Sequence, residues 1–176
     1  HLPELVNYLI DSCPEKGVNI SLPSLRIDAF SLDVMSKVQD IKKSSLTFAP
    51  EAGTQRLRDV INKNVTEADL VSTLTNAFSN GWNAVKLYFM TGLPTETDED
   101  LIGIAELAKT AAGAYYSVPK EKRVKGLRIT CSAAVFVPKP FTPFQWCRQD
   151  DPETVRRKQR LVREHFAPLK SAHFNY

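Results

Sequence analysis

Only three of the 176 residues are cysteine, and Cys13, Cys131 and Cys147 stand far apart, with no Cys-x-x-Cys spacing. That scarcity argues against a disulfide framework or a compact thiolate metal site, so no residue is assigned to a metal. It fits a reducing, cytoplasmic compartment. No run approaches the roughly 20 apolar residues that a membrane-spanning helix needs, and no basic-then-apolar leader opens the chain, so no membrane partner is expected. Nor is there charge of one dominant sign: a formal net charge of +3 with both signs interspersed leaves no global footprint for nucleic acid or an anionic surface. Low-complexity segments, internal repeats and dividing linkers are lacking too, and the expectation is a single domain over residues 1–176. The first residue is His1, inside a helical pattern, which suggests a piece of a longer polypeptide.

What is present is core material, 43% of the residues being hydrophobic. Leu2, Leu5, Val6, Leu9 and Ile10 form a helical stripe over 2–12. Residues 18–30 alternate as a strand, with Ser31 as N-cap for a helix over 32–40. A short strand at 46–49 precedes a helix over 55–61. Thr66 and Asp69 form a capping-box pattern before a helix that Gly81 stops, and a strand at 84–90 follows. Thr97 and Asp100 repeat the capping spacing before a helix to about 116. Residues 127–137 read as a strand, and Asp151-Pro152 as the cap and first turn of a last helix. Strands alternating with helices predict an α/β fold with parallel strands, because antiparallel neighbours would need only tight turns.

Period-two sorting sharpens this. Val85, Leu87 and Phe89 oppose Lys86, Tyr88 and Met90; Ile129, Cys131 and Ala133 oppose Arg128, Thr130 and Ser132. A sheet covered by helices on both sides would read as continuous apolar runs. One apolar and one mixed face predicts a partial (β/α) barrel with outer helices and a polar concave interior, an antiparallel sheet wetted on one side being the alternative. In a barrel, reactive groups gather at the carboxyl ends of the strands.

Four segments, "SLPSLRIDAF" (21–30), "LTFAPEAGTQRLRDVINKN" (46–64), "VKLYFMTGLPTETDEDL" (85–101) and "FVPKPFTPFQW" (136–146), resemble in order the third to sixth strand segments of a radical S-adenosylmethionine (radical SAM) barrel. The nearest branch by these motifs holds methylthiotransferases and cobalamin-domain-linked Fe-S oxidoreductases. The resemblance implies S-adenosylmethionine and a [4Fe-4S] cluster in the intact protein, with cobalamin as a further cofactor in that branch. One electron from the cluster would cleave S-adenosylmethionine to a 5′-deoxyadenosyl radical. The family's CxxxCxxC loop is absent, so the chain looks like the carboxyl-terminal part of the barrel, inactive by itself and partnered by the remainder of its own polypeptide. By position, Arg26 and Asp28 would face the cofactor and its sugar, Glu51 the ribose hydroxyls, Met90, Thr91 and Gly92 the adenine face, and Val135, Phe136 and Val137 the adenine edge.

Each assignment has a plainer account. Arg26 and Asp28 could be a strand-end ion pair, Glu51 a helix-dipole partner, and Gly92 a generic turn. A non-catalytic α/β nucleotide- or phosphate-binding module is the alternative function. Phe141, Phe144 and Trp146 read as a loop packed over the barrel end, with base stacking as the rival. Arg156, Arg157, Lys158, Arg160 and Arg163 read as a solvated helix face, with contact to an RNA substrate as the rival. The strand at 18–27 lacks a preceding neighbour, and its open edge predicts cover by a second copy, as a homodimer, or by the terminal helix.

Overall fold

The computed structural model describes residues 45–176 together with Glu4, Tyr8 and Ser12, these three being helical. The expected strand at 18–30, its possible dimer edge, the helix at 32–40 and the candidate residues Arg26 and Asp28 lie outside the described residues.

Four strands, β1 (Leu46–Glu51), β2 (Ala84–Thr91), β3 (Arg128–Val135) and β4 (Ala172–Asn175), form one sheet in the order β1-β2-β3-β4, all parallel. Helices α1 (Gln55–Val60) and α2 (Glu67–Ser79) connect β1 to β2, α3 (Asp98–Ser117) connects β2 to β3, and α4 (Pro152–Phe166) connects β3 to β4. Chain order equals spatial order, so each crossover of the same hand lays its helices on the same face, as in a barrel wall. The fold class read from the alternation is therefore the observed one. The strand at 172–175 was not anticipated, and β3 ends at Val135, two residues before its expected end.

The period of two decides which face is covered. Phe48, Val85, Leu87, Phe89, Ile129 and Cys131 are buried against Leu70, Leu74 and Phe78 of α2, Leu101, Ile104 and Ala108 of α3, and Val162 and Phe166 of α4. On the other face Lys86 is exposed and Tyr88 is 40% exposed. Concentration of the apolar residues on one face makes the sheet one-sided, as a barrel segment with outer helices requires.

The helix ends follow their sequence signals. Thr66 Oγ1 accepts from the Asp69 N–H at 3.1 Å while Asp69 Oδ2 accepts from the Thr66 N–H at 2.9 Å. At the other end of α2, Gly81 adopts φ 87°, and the Trp82 and Gly81 N–H groups donate to the Ala77 and Phe78 carbonyls, a Schellman arrangement. Asp151 accepts from the Thr154 N–H at 2.8 Å to cap α4. Thr66→Ala removes one partner of a reciprocal cap and is expected to cost about 1 kcal/mol, read from urea unfolding. A loss below a few tenths would show that packing alone holds the α2 start.

Candidate functional site

Parallel strands in register bring three carboxyl ends together. Glu51 closes β1, Met90 and Thr91 end β2 with Gly92 just beyond it, and Val135 pairs with Thr91 before Phe136 and Val137 leave β3. Between Phe48 and Glu51 the register with β2 slips: Phe48 stands opposite Leu87, whereas Glu51 stands opposite Phe89. The bulge contains Pro50, which cannot donate to the ladder, and Glu51 adopts φ 69°, an uncommon conformation for a residue with a Cβ. Bulges re-aim side chains, and here Glu51 joins Tyr88, Met90, Ser132, Ala134 and Asn175 around a depression of about 540 Å3. Its carboxylate accepts from Lys63 Nζ at 3.5 Å and stays 29% exposed. Glu51 and Met90 thus line the depression. Thr91 and Phe136 are turned into the protein, while Val137 is half exposed. Asn175 and Tyr176 line it from the unexpected last strand.

The loop after β2 is held from within. Gly92 has φ 83°, and its N–H donates to both oxygens of Glu96 at 2.9 and 3.0 Å. Glu96, with a side chain 2% exposed, receives Lys158 Nζ from α4 at 2.8 Å; the same ammonium meets Asp150 at 2.6 Å. A Cβ on Gly92 would stand 2.8 Å from Asp150 Oδ2, so this carboxylate fills the space that glycine leaves. Burial pushes the Glu96 carboxyl above the ordinary range, against the opposing pull of Lys158 and of the Gly92 N–H. At Lys158 the balance is reversed: burial alone would lower it, yet hydrogen bonds to Asp150 and Glu96 raise it. Sequence reasoning took Lys158 for part of a solvated cationic face, and the structure corrects this. Arg157 is also engaged, with two bonds of 2.9 Å to Asp98, and Arg163 lies 4.8 Å from the Tyr176 ring.

The loop after β1 docks on the start of α3. Gly53 and Gly103 touch back to back: a Cβ on Gly53 would lie 2.3 Å from the Asp100 carbonyl oxygen and 2.4 Å from the Ile104 nitrogen. Asp100, only 2% exposed, accepts from Thr54, from Arg56 and from the Thr97 N–H at 2.8 Å. Burial alone would raise its pKa, but the bonds from Thr54, Arg56 and Thr97 together bring it below the ordinary aspartate value. Arg58, 1% exposed, donates to the Ala52 and Gly53 carbonyls at 3.0 and 3.3 Å. The residues following Glu51 are therefore pinned from both sides.

The loop after β3 departs from its expectation. Phe144 meets Phe136 edge-on at 6.2 Å, with Ala52, Leu57 and Leu93 completing a small cluster under the strand ends. Phe141 and Trp146, also expected to pack, are 98% and 90% exposed. Proline spacing in this segment builds turns, with Thr142 Oγ1 donating to the Lys139 carbonyl and Gln145 Oε1 accepting from the Phe141 N–H. Those turns anchor Phe144 and leave its neighbours outside.

Comparison with known proteins bears on this geometry. The chain matches the radical SAM superfamily domain over residues 1–108, a stretch that includes β1, α1, α2, β2 and the first half of α3. It is also similar to an uncharacterized protein of Methanocaldococcus jannaschii, 40% identical over 145 residues, which are 82% of this chain and 29% of the relative. The chain thus spans less than a third of the length of the curated relative it matches.

Proposed function

This chain belongs to the radical SAM superfamily, and from that premise we propose that its strand ends form the nucleoside-facing and substrate-facing wall of the barrel in a longer Fe-S oxidoreductase. The observation that carries the proposal is that Glu51 and Met90, singled out by position along the sequence, meet at one depression on neighbouring parallel strands. Its size falls within the roughly 300–1,000 Å3 of ordinary ligand clefts. A carboxylate that keeps 29% of its side chain exposed can accept from two ribose hydroxyls, and Met90 supplies an apolar, adaptable surface for a flat ring. Uncommon backbone geometry at Glu51 supports a binding role, since such conformations persist where surrounding structure over-determines them. Thr91, Gly92, Val135, Phe136 and Val137 serve this wall through the backbone positions they fix, and Arg26 and Asp28 would extend it. From the motif likeness alone we infer a relation to the cobalamin-linked and methylthiotransferase branch, and cobalamin would then be a cofactor of the whole protein.

When bound, S-adenosylmethionine would supply the 5′-deoxyadenosyl group on which the superfamily's radical chemistry rests, the electron for its cleavage coming from an iron-sulfur cluster. Glu51, Met90 and Tyr88 would hold its nucleoside. An iron-sulfur cluster, by contrast, does not fit the described residues. Among them no group of three or more Cys, His, Asp or Glu side chains converges, and Cys131 is buried in the core with its thiol pushed up to about 12. A cluster then belongs elsewhere in the intact polypeptide, and residues 1–176 alone are not expected to turn over.

Titration of the intact protein with S-adenosylhomocysteine tests the wall. Glu51→Gln is expected to weaken binding roughly tenfold, the loss of about 1.5 kcal/mol typical of one charged hydrogen bond, with unfolding unchanged. Equal affinity for the variant would sink the assignment of Glu51. Binding of ATP as tight as that of S-adenosylhomocysteine would favour a general nucleotide module instead.

A further inference from the structure

Far from the strand carboxyl ends, the opposite end of the sheet carries an arrangement that the reading above leaves unused. Residues 118–128 contain Lys120, Lys122, Arg123, Lys125 and Arg128 against Glu121 alone, a local excess of four positive charges where the whole chain has a formal +3. Lys170 stands on the adjoining loop, next to Ser171, whose carbonyl accepts from the Ile129 N–H at 2.8 Å. Among the described residues no carboxylate pairs with any of these cations, in contrast to Arg157 and Lys158 on α4.

The segment is built to hold its shape. Tyr115 donates to the Val124 carbonyl at 2.6 Å, and Asn83 donates to the Lys125 and Gly126 carbonyls at 2.9 and 3.3 Å. Gly126 takes φ 87° to make the turn. The Arg123 guanidinium lies 5.2 Å from the Tyr115 ring and 5.3 Å from the Tyr116 ring, so its position is set by cation–π contacts and not by an acid that would cancel its charge. Tyr116 is nevertheless 62% exposed. A cavity of about 380 Å3 opens here, lined by Lys120, Arg123, Lys125, both tyrosines and Ser171, with no carboxylate.

We propose that this amino-terminal end of the sheet is a binding surface for a single-stranded nucleic acid, its phosphates taken by Lys120, Arg123 and Lys125 and a base stacked on Tyr116. Unneutralised cations extend beyond the cavity to Lys122, Arg128 and Lys170, which suits a chain of phosphates better than one free anion. An exposed aromatic ring beside a basic track is the combination that single strands use, charge for the backbone and a ring face for the base. Along the chain through β3, Leu127 of the cavity stands six residues before Ala133 of the depression, a separation of about 20 Å. The surface would therefore hold a substrate or guide strand at a distance from the nucleoside wall, and it stands independently of that wall's assignment.

Fluorescence anisotropy of the intact protein with a labelled, mixed-sequence RNA of about 16 nucleotides tests this. The double variant Lys120→Gln/Lys125→Gln is expected to bind at least about fivefold more weakly and to flatten the dependence of log K on log salt by roughly 1.4, the equivalent of two single-strand phosphates. Tyr116→Ala is expected to lose about tenfold with the salt slope unchanged. These side chains are exposed, so S-adenosylhomocysteine affinity and far-ultraviolet circular dichroism should not move. RNA binding equally tight in the double variant would overturn the proposal. So would capture by phosphatidylserine vesicles without RNA binding, since the surface would then be a lipid site.

Discussion

Gly53→Ala is expected to destabilise the protein by about 3 kcal/mol or more, near or above the upper end of ordinary overpacking. The reason is what the added methyl would meet: the Asp100 carbonyl oxygen at 2.3 Å, the Ile104 nitrogen at 2.4 Å and the Gly103 carbonyl carbon at 2.6 Å. All three are backbone atoms inside α3, which cannot rotate away as a side-chain tip can. Relief requires α3 to part from the loop, and that separation would break the bonds joining Asp100 to Thr54 and Arg56. Gly113→Ala on the same helix supplies the control of opposite sign. Nothing lies within 4 Å of the new methyl there, so removing a mid-helix glycine should stabilise by roughly 0.5–1 kcal/mol. Urea unfolding of the pair checks both signs. Because the loop that follows Glu51 would be displaced, Gly53→Ala should also weaken S-adenosylhomocysteine binding in protein that is still folded. A loss smaller than 1 kcal/mol for Gly53→Ala would mean that the glycine contact is not what fixes this loop.

The contrast between these glycines shows where sequence reasoning stops. Alternation in Val85, Leu87 and Phe89, and again in Ile129, Cys131 and Ala133, was enough to give one buried face, because burial on one side leaves a period-two trace in the chain itself, while the parallel direction came from the helices between the strands. Caps at Thr66, Thr97 and Asp151 were readable for the same reason: a cap joins residues three apart. Residues 172–175 were missed although Ala172 and Phe174 alternate with His173 and Asn175, because four residues are too few to separate such a pattern from chance, and their pairing with β3 comes from the space beside Ile129 and Cys131. Glu51 and Met90, chosen through the family resemblance, line one depression because both stand near the carboxyl ends of neighbouring parallel strands. Glu96, Asp150 and Lys158 were not legible, since their contact depends on α4 folding back over the β2 loop. A helix rich in Arg and Lys looks solvated until its acidic neighbours are placed. Phe141 and Trp146 failed in the opposite direction, because turn chemistry and not hydrophobicity decided which aromatic ring faced inward.

Lys158→Met is expected to cost about 3–5 kcal/mol at neutral pH, the range seen when one partner of a buried ion pair is removed. Methionine keeps most of the volume, so the loss isolates the charge. What remains is Glu96, 2% exposed, facing Asp150, 23% exposed, with no cation between them. Burial already holds the Glu96 carboxyl above its ordinary value while Lys158 pulls it down; without the ammonium it must rise further. A carboxyl whose folded pKa exceeds its unfolded value, about 4.3 for glutamate, stabilises the fold fully only below that unfolded value. Its contribution fades as pH climbs through the raised one. The deficit of Lys158→Met should therefore be smallest near pH 4.5 and grow towards pH 7.5, and adding Glu96→Gln should recover part of it at the higher pH. Unfolding of the single and double variants at both pH values measures this directly. The same experiment bears on the site, because Glu96 holds the Gly92 N–H with both oxygens. A protonated Glu96 keeps only part of that grip, so the loop beside Met90 should loosen in the variant as the carboxyl takes up its proton, and S-adenosylhomocysteine affinity should fall at low pH even where stability recovers. A deficit that stays constant with pH would show that Lys158 contributes packing alone.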